Sequence, residues 1–440
     1  MIWRFIVTVY IFLKYALIKL ADMLMVRRIG FLLTGRNYFP LTTPVLMRKA
    51  FEDLGPTYIK LAQIIASSEG LFPKAYSEEF RKCLDRVPPF SFHEVERILQ
   101  EEFGRPFKQV YRTFEVKPIA AASIAQVHFA TLSSGEEVVV KIQRPHIEER
   151  VVNDMKIMGL IARIIQAVVP HAELANPVGV VEDFRSTIVQ ELDFRLEGRN
   201  MDQFNEIMKL ADNSSVVAPL VYWDYTTKRV LTMERFKGWR VDDYEGILAS
   251  PYNSEEKLVA GLRGWFQCII LHGFFHGDVH AGNLMLLHDG RIGFLDFGII
   301  GRFDEQKKVM VMEYIMAFQR GNFSKLAQVL VDMGSVSQKV DVEQMAKDLE
   351  GCYGPWLTTS FSNLKIGEVL PDVMRVSVKH RMRLPNEFVL ITKQLLYFDK
   401  YAKNLAPKLN IFNDARLVNF MLADFQMAQK LKGSQARGTA

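Results

Sequence analysis

Three side chains between His276 and Gly298 are of types that handle phosphate, and their spacing gives the first clue to this chain. The stretch reads HGDVHAGNLMLLHDGRIGFLDFG, with Asp278, then Asn283, then Asp296 in LDFG. A carboxylate at the first position can orient or deprotonate an acceptor hydroxyl. An amide oxygen and a second carboxylate are hard oxygen donors of the kind Mg²⁺ takes while it bridges nucleotide phosphates. Such a division of labour requires the chain to fold back on itself. The apolar runs Leu284–Leu287 and Ile292–Leu295 flank His288-Asp289-Gly290, and Asp-Gly between two apolar runs signals a β-hairpin. That hairpin returns Asp296 to the loop of Asp278 and Asn283. The plain alternative is a surface hairpin with scattered acids, which the ordered combination argues against. His276 reads as a packing residue and His280 as a residue that shapes the loop, not as a zinc ligand.

The rest of the chain must position that stretch. Its 440 residues are long enough for two or three domains, and 49% hydrophobic with 24% charged residues describes an ordinary folded protein. A net charge of +5, from 55 basic and 50 acidic residues, is too mild to argue for nucleic acid. Cys83, Cys268 and Cys352 lie far apart, form no CxxC, and suggest a reducing compartment without a disulfide framework.

The N-terminal residues MIWRFIVTVYIFLKYALIKLADMLMVRR are too often interrupted by charge to span a bilayer. On a helix, Arg4, Thr8, Lys14, Lys19 and Asp22 fall on one polar arc, and the remainder is aromatic and aliphatic. The pattern fits a helix lying in a membrane interface, with Arg27 and Arg28 meeting anionic headgroups. A helix packed on the protein's own core and a cleaved signal segment are the competing readings. From Thr43 to Glu102 the apolar spacing is helical, with Gly55-Pro56 opening a helix on which Lys60 and Gln63 share a face. Ser91 to Glu94 forms a capping box for the next helix.

Strand-like sequence starts near Val110. The alanine-rich run Ala120, Ala121, Ala122, Ser123, Ile124, Ala125, Gln126, Val127 precedes Val138-Val139-Val140-Lys141. Residues 144–185 read as a helical insertion. Glu191, Asp193 and Glu197 then form a carboxylate cluster, one member of which is expected to pair with Lys141. Val216–Trp223 and Arg229–Glu234 read as strands, the second ending at a hinge where backbone groups near Glu234 would meet an adenine ring. Beyond Val241 the pattern is helical apart from the hairpin, with breaks at Pro371 and Pro385 and a frayed tail from Lys432 to Ala440.

Asp278, Asn283 and Asp296 together resemble the catalytic and metal loops of the protein-kinase-like fold. With KLAQ at 60–63, AAASIAQV at 120–127, VVVK at 138–141 and ELD at 191–193, the chain resembles the UbiB (AarF-domain, ADCK) atypical kinases. The resemblance implies an α+β, bilobal kinase-like fold with an N-terminal helical extension and a mostly helical C-lobe. Its divisions would be 1–40, a membrane-associating segment; 41–109, the helical extension; 110–235, the N-lobe with its insertion; and 236–440, the C-lobe. It further implies ATP and Mg²⁺ between the lobes, with Lys141 at the phosphates, Glu197 as its partner and Asp278 as the catalytic carboxylate. Asn283 and Asp296 would be the metal ligands. Lys60 and Gln63 would lie over the site, with Lys60 facing Glu191 and Asp193 and occluding a protein substrate.

The implied activity is a membrane-peripheral ATPase supporting isoprenoid quinone (ubiquinone) biosynthesis, at the cytoplasmic face of a membrane such as the bacterial inner membrane. Partners would be membrane lipids and quinone-biosynthesis proteins or isoprenoid intermediates. Composition and motifs leave the oligomeric state open. A small-molecule phosphotransferase of the aminoglycoside/choline kinase type and a non-catalytic ATP-binding scaffold are the alternatives. Two departures stand out: Ala62 and Ala125 occupy positions where the family commonly has glycine. Each adds a methyl that bears on loop closure and nucleotide preference.

Overall fold

The computed structural model describes residues 2–24, 42–67, 74–83, 88–168, 176–336, 340–358, 382–383 and 386–409, with scattered positions between 373 and 420. Arg27, Arg28, Pro371, Pro385 and the tail 432–440 lie outside these residues. The chain forms two compact units, one from residues 1–195 and 222–233, the other from 196–221 and 234–440.

The first unit begins with four helices, α1 (Ile2–Met23), α2 (Thr43–Leu54), α3 (Pro56–Ser67) and α4 (Lys74–Phe80). The break between α2 and α3 is local chemistry. Gly55 takes φ +90°, and Pro56 follows with a fixed φ suited to a first helical position. A Cβ on Gly55 would also meet the Arg150 guanidinium at 2.5 Å and push that side chain aside.

Helix α5 (Phe92–Phe103) is capped by Ser91, whose side chain accepts from the Glu94 N–H, and ends at Gly104 in the left-handed region. Its Val95, Ile98 and Leu99, at helical spacing, are wholly buried. They pack with Val110, Tyr111, Ala130, Leu132, Val138, Val140, Ile142 and Val230. These residues belong to a five-stranded sheet of β1 (Tyr111–Phe114), β2 (Ala120–Ala121), β3 (Ala125–Leu132), β4 (Glu137–Gln143) and β6 (Val230–Glu234). Its order is β1-β3-β4-β6, with β2 added on β3. The expected helical insertion is present as α6 (Ile147–Val168) and α7 (Pro177–Glu191).

Helix α1 lies against α2 and α6 of the same unit. Its polar arc faces the protein: Thr8 is buried, Arg4 pairs with Asp154 of α6, and Lys14 pairs with Asp53 of α2. The Arg4–Asp154 contacts are 2.5 and 3.0 Å, and Arg4 and Arg150 both donate to the Leu54 carbonyl that ends α2. The apolar face, including Trp3, Ile6, Tyr10, Leu13, Leu17 and Leu20, is exposed, Trp3 to 76%.

The second unit carries most of α8 (Phe194–Leu210), then α9 (Tyr244–Ala249), α10 (Ser254–His272), α11 (Glu305–Gln319), α12 (Phe323–Met333), α13 (Val342–Thr358) and α14 (Asn386–Leu405). Its sheet runs β5 (Val216–Val217), β10 (Ile292–Phe294), β9 (Leu284–Leu287), β7 (Gly238–Arg240). The strand expected over 216–223 stops after two residues, because Pro219 has no N–H to continue a ladder, and a 3₁₀ turn follows at Trp223–Tyr225. Two short ladders interrupt the helical reading beyond Val241: β8 (Phe274–His276) with β11 (Ile300–Arg302), and β12 (Ser335–Val336) with β13 (Met382–Arg383). Runs of two or three residues show no periodicity to read.

Candidate active site

The hairpin forms as its turn residues dictate. Ile292 pairs with Leu286 and Phe294 with Leu284, and Gly290 at φ +85° closes the turn. Past the ladder, Leu295 N–H donates to the Asn283 carbonyl at 2.8 Å, which sets Asp296 beside Asn283 in the chain path. The β8–β11 ladder draws the same two segments together from the other side, with His276 opposite Ile300.

His276 is the bolt between them. It is wholly buried, its Nδ1 accepts from the Asp278 N–H at 3.1 Å and its Nε2 therefore donates to the Leu295 carbonyl at 2.8 Å. Burial holds its pKa below the ordinary value, so the ring is neutral and the tautomer is set by its partners. His280 is partly buried; its Nδ1 accepts from the Gly282 N–H, and its Nε2 stands 3.6 Å from Asp278 Oδ2. It shapes the loop, as expected.

Asn283 Nδ2 donates to the Asp278 carbonyl at 2.9 Å. That bond fixes the amide and turns its oxygen away as an acceptor. Asp296 sits at φ +51°, with Oδ1 accepting from the Gly298 N–H. A non-glycine residue in the left-handed region is uncommon and aims a side chain that regular backbone would not. One amide oxygen and one carboxylate match the chemistry of a hard cation. Among the described residues no group of three or more His, Cys, Asp or Glu could hold a metal by itself. One amide oxygen and one carboxylate would suit Mg²⁺, a cation that takes few protein donors and completes its shell with phosphates and water.

Sequence reasoning missed what steadies Asp278. Gln394 of α14 is wholly buried; its Nε2 donates to the Gly277 carbonyl at 2.6 Å and its Oε1 accepts from the Val279 N–H at 2.8 Å. Tyr401 donates to the Val279 carbonyl, and Trp265 of α10 to the His276 carbonyl. Gly277 leaves no room for a side chain, since a Cβ there would stand 2.9 Å from both Ile299 and Leu390. No motif spacing could reveal Gln394, which is 115 residues from Val279.

In the first unit, the alanine-rich run is a tight hairpin. Ala120 pairs with Val127 and Ala121 with Gln126, and Ala122 N–H donates to the Ala125 carbonyl. Arg144 locks it, its side chain donating to the Ala122 carbonyl and its N–H to the Ile124 carbonyl. Among the described residues, none of this run has positive φ, so Ala125 accommodates its methyl without strain. Ser123, Ile124 and Ala125 are buried.

Lys141 faces Val127 across the β3–β4 ladder, on the sheet face opposite the α5 core, with its ammonium 5.3 Å from the centre of the Phe194 ring. Gln126 points the other way: buried, it accepts from the Phe90 N–H at 3.0 Å. The ELD turn is tied to the sheet by Gln143, which donates to the Leu192 carbonyl. Lys60 meets Glu191 at 2.8 Å, with the side chains 18% and 6% exposed, and Ala62 beside it is wholly buried. Asp193 pairs instead with Arg195, whose guanidinium holds its carboxyl below the usual range. Glu197 is buried in the first turn of α8, and the Glu234 carboxylate accepts from the Leu220 N–H.

Comparison with known proteins agrees with this geometry. A sequence profile of the ABC1 atypical kinase-like domain matches residues 82–330, and one of the UbiB helical domain matches 352–410. The chain is 38% identical to an aarF domain-containing protein kinase of Arabidopsis thaliana described as chloroplastic, over 86% of this chain and 74% of that one. It is 30% identical to a probable protein kinase UbiB of Xylella fastidiosa, over 84% of this chain and 68% of that one. The solved structure of Rv3197 of Mycobacterium tuberculosis, an erythromycin complex, shares the fold with a TM-score of 0.54 at 24% identity, covering 82% of this chain and 97% of that one. With an α+β kinase-like fold, the motifs in order and both domain profiles matched, the chain belongs to the UbiB/aarF-domain family of atypical kinases.

Proposed function

We propose that this protein is an atypical kinase-like ATPase that works at a membrane surface in support of isoprenoid quinone biosynthesis. The observation that carries the proposal is the arrangement of Asp278, Asn283 and Asp296, whose loops are bound to each other through His276 and the Asn283 carbonyl. In this reading Asp278 orients or takes the proton of the attacking hydroxyl or water. Asn283 and Asp296 hold Mg²⁺, which supplies charge neutralisation to the nucleotide phosphates when bound. Lys141, on β4 of the first unit, is assigned to the nucleotide phosphates on the family resemblance. The alanine-rich hairpin of the first unit offers backbone groups to the nucleotide on the same resemblance.

The buried Lys60–Glu191 pair supports a fixed helical extension, in keeping with a site closed to protein substrates and open to water or a small molecule. Membrane association is supported by α1, whose exposed face is aliphatic and aromatic. Among the described residues no helix is long and apolar enough to cross a membrane. The quinone pathway is suggested by the relatives named UbiB.

The test is phosphate release from Mg-ATP by the full chain, with and without anionic liposomes, against Asp296→Asn. Release that rises with liposomes and falls about 10²-fold or more in the variant is the expected outcome. Equal release in the variant would remove the assignment of Asp296. Nucleotide binding without release would favour the scaffold reading.

A further inference from the structure

One cation near Asp278 belongs to no motif. Lys393 lies on α14, and its ammonium is 3.4 Å from Asp278 Oδ1, with the two side chains 16% and 24% exposed. It is held there firmly, because the next residue is Gln394, buried and bonded to the loop on both sides of Asp278. A long, partly exposed pair adds little to stability. An ammonium has three donors, and Asp278 accepts at most one here at that length. The ammonium also lies 5.7 Å from the centre of the Tyr397 ring, so two contacts set it beside the Asp278 carboxylate while donors remain for a further acceptor.

We propose that Lys393 is a catalytic residue of the phosphoryl-transfer step, its ammonium contacting the phosphoryl group as it passes to the acceptor oriented by Asp278. The inference rests on the reading of the site as a Mg-nucleotide centre. In the step, the acceptor oxygen forms a bond to phosphorus while the bond from phosphorus to the departing diphosphate oxygen breaks. The electron pair leaves with ADP, and the acceptor's proton passes to Asp278. Lys393 gives up no proton; it neutralises charge on the oxygens of the transferring group, where a fixed cation in a partly dry site acts most strongly. A helix outside the nucleotide-binding motifs thus supplies a working group.

The experiment compares the full-length wild type with Lys393→Met and Lys393→Arg. Equilibrium affinity is measured for Mg-ADP alone and for Mg-ADP with aluminium tetrafluoride, a planar mimic of the transferring group, alongside kcat, KM and thermal melting. Lys393→Met is expected to lose about 10²-fold in kcat and in affinity for the fluoride complex. Its Mg-ADP affinity and melting should stay at wild-type values, and Lys393→Arg should recover part of the loss. Unchanged affinity for the fluoride complex overturns the proposal. So does an equal loss towards Mg-ADP alone, which would mark a structural residue. A wild type that binds no Mg-ADP would overturn the site reading as well, whereas a wild type that turns over beside an equally active Lys393→Met variant overturns this inference alone.

Discussion

Around Asp278 the backbone is held by neutral side chains, whereas the N-terminal helices are held by ion pairs. Gln394, Tyr401, Trp265 and His276 each bond a loop amide or carbonyl without carrying charge. Helices α1 and α3 are fixed instead by Arg4 on Asp154 and Lys60 on Glu191. The difference has a physical reason. A loop that works with carboxylates and a cation needs supports that leave its field alone, and neutral hydrogen bonds do that. The N-terminal helices add their ion pairs to a few apolar contacts, with Ile11 of α1 and Tyr58, Ile59 and Ala62 of α3 buried. The two kinds of support fail differently, which makes the comparison testable.

The largest effect is expected at Asp154. Its carboxylate is wholly buried between Arg4 and α6, so Asp154→Ala leaves a cation without its partner and should cost about 3–5 kcal/mol. Denaturant unfolding and hydrogen exchange across α1 would read this. Arg4→Met with Asp154→Leu should recover much of the loss, since an apolar pair of similar volume removes both desolvation costs. A double variant as unstable as the single one would show that the pair is not the fastening.

A smaller effect is expected at Gln394. Gln394→Leu leaves the Gly277 carbonyl and the Val279 N–H without their partner, for about 1–3 kcal/mol. Because the bonds flank Asp278, turnover should fall more than Mg-ADP affinity. Parallel losses would mean that the clamp serves the whole fold rather than the loop.

The gentlest probe is pH. His128, His272 and His276 are all held below their ordinary pKa, in each case first by burial. The unfolded chain takes up these protons near pH ~6.5 and the folded chain only lower, so stability falls as pH drops below ~6.5. The supports of α1 and α3 named above, Arg4–Asp154 and Lys60–Glu191, contain no histidine. Hydrogen exchange at pH 7.5 and 5.5 should therefore show protection lost around residues 274–283 before it is lost in α1. The reverse order would contradict the division between neutral and charged supports.

The motif reading reached the residues whose chemistry is local. Asp278, Asn283 and Asp296 were legible because an Asp-Gly turn with apolar flanks sets the hairpin register, and register alone places Asn283 beside Leu295. Lys60 opposite Glu191 followed from the family resemblance, and the structure forms that pair while giving Asp193 to Arg195. The bond between Gln126 and the Phe90 N–H was not legible, because alternation says that neighbours on a strand face opposite ways but not which of them faces Phe90.

Helices α1 and α5 show the same limit in its sharpest form. Both are amphipathic in sequence, and α5 buries its apolar face while α1 buries its polar one. Periodicity fixes that a helix has two faces, because 3.6 residues per turn is a property of the backbone. Which face turns inward depends on what waits there. For α5 it is a β-sheet of valine and isoleucine; for α1 it is Asp154. The amino-acid sequence by itself determined the turn, the strand register and the acids of the site. The direction of α1, the clamp of Gln394 and the approach of Lys393 to Asp278 were decided by tertiary structure. They join residues more than a hundred positions apart through packing, and no local pattern encodes such contacts.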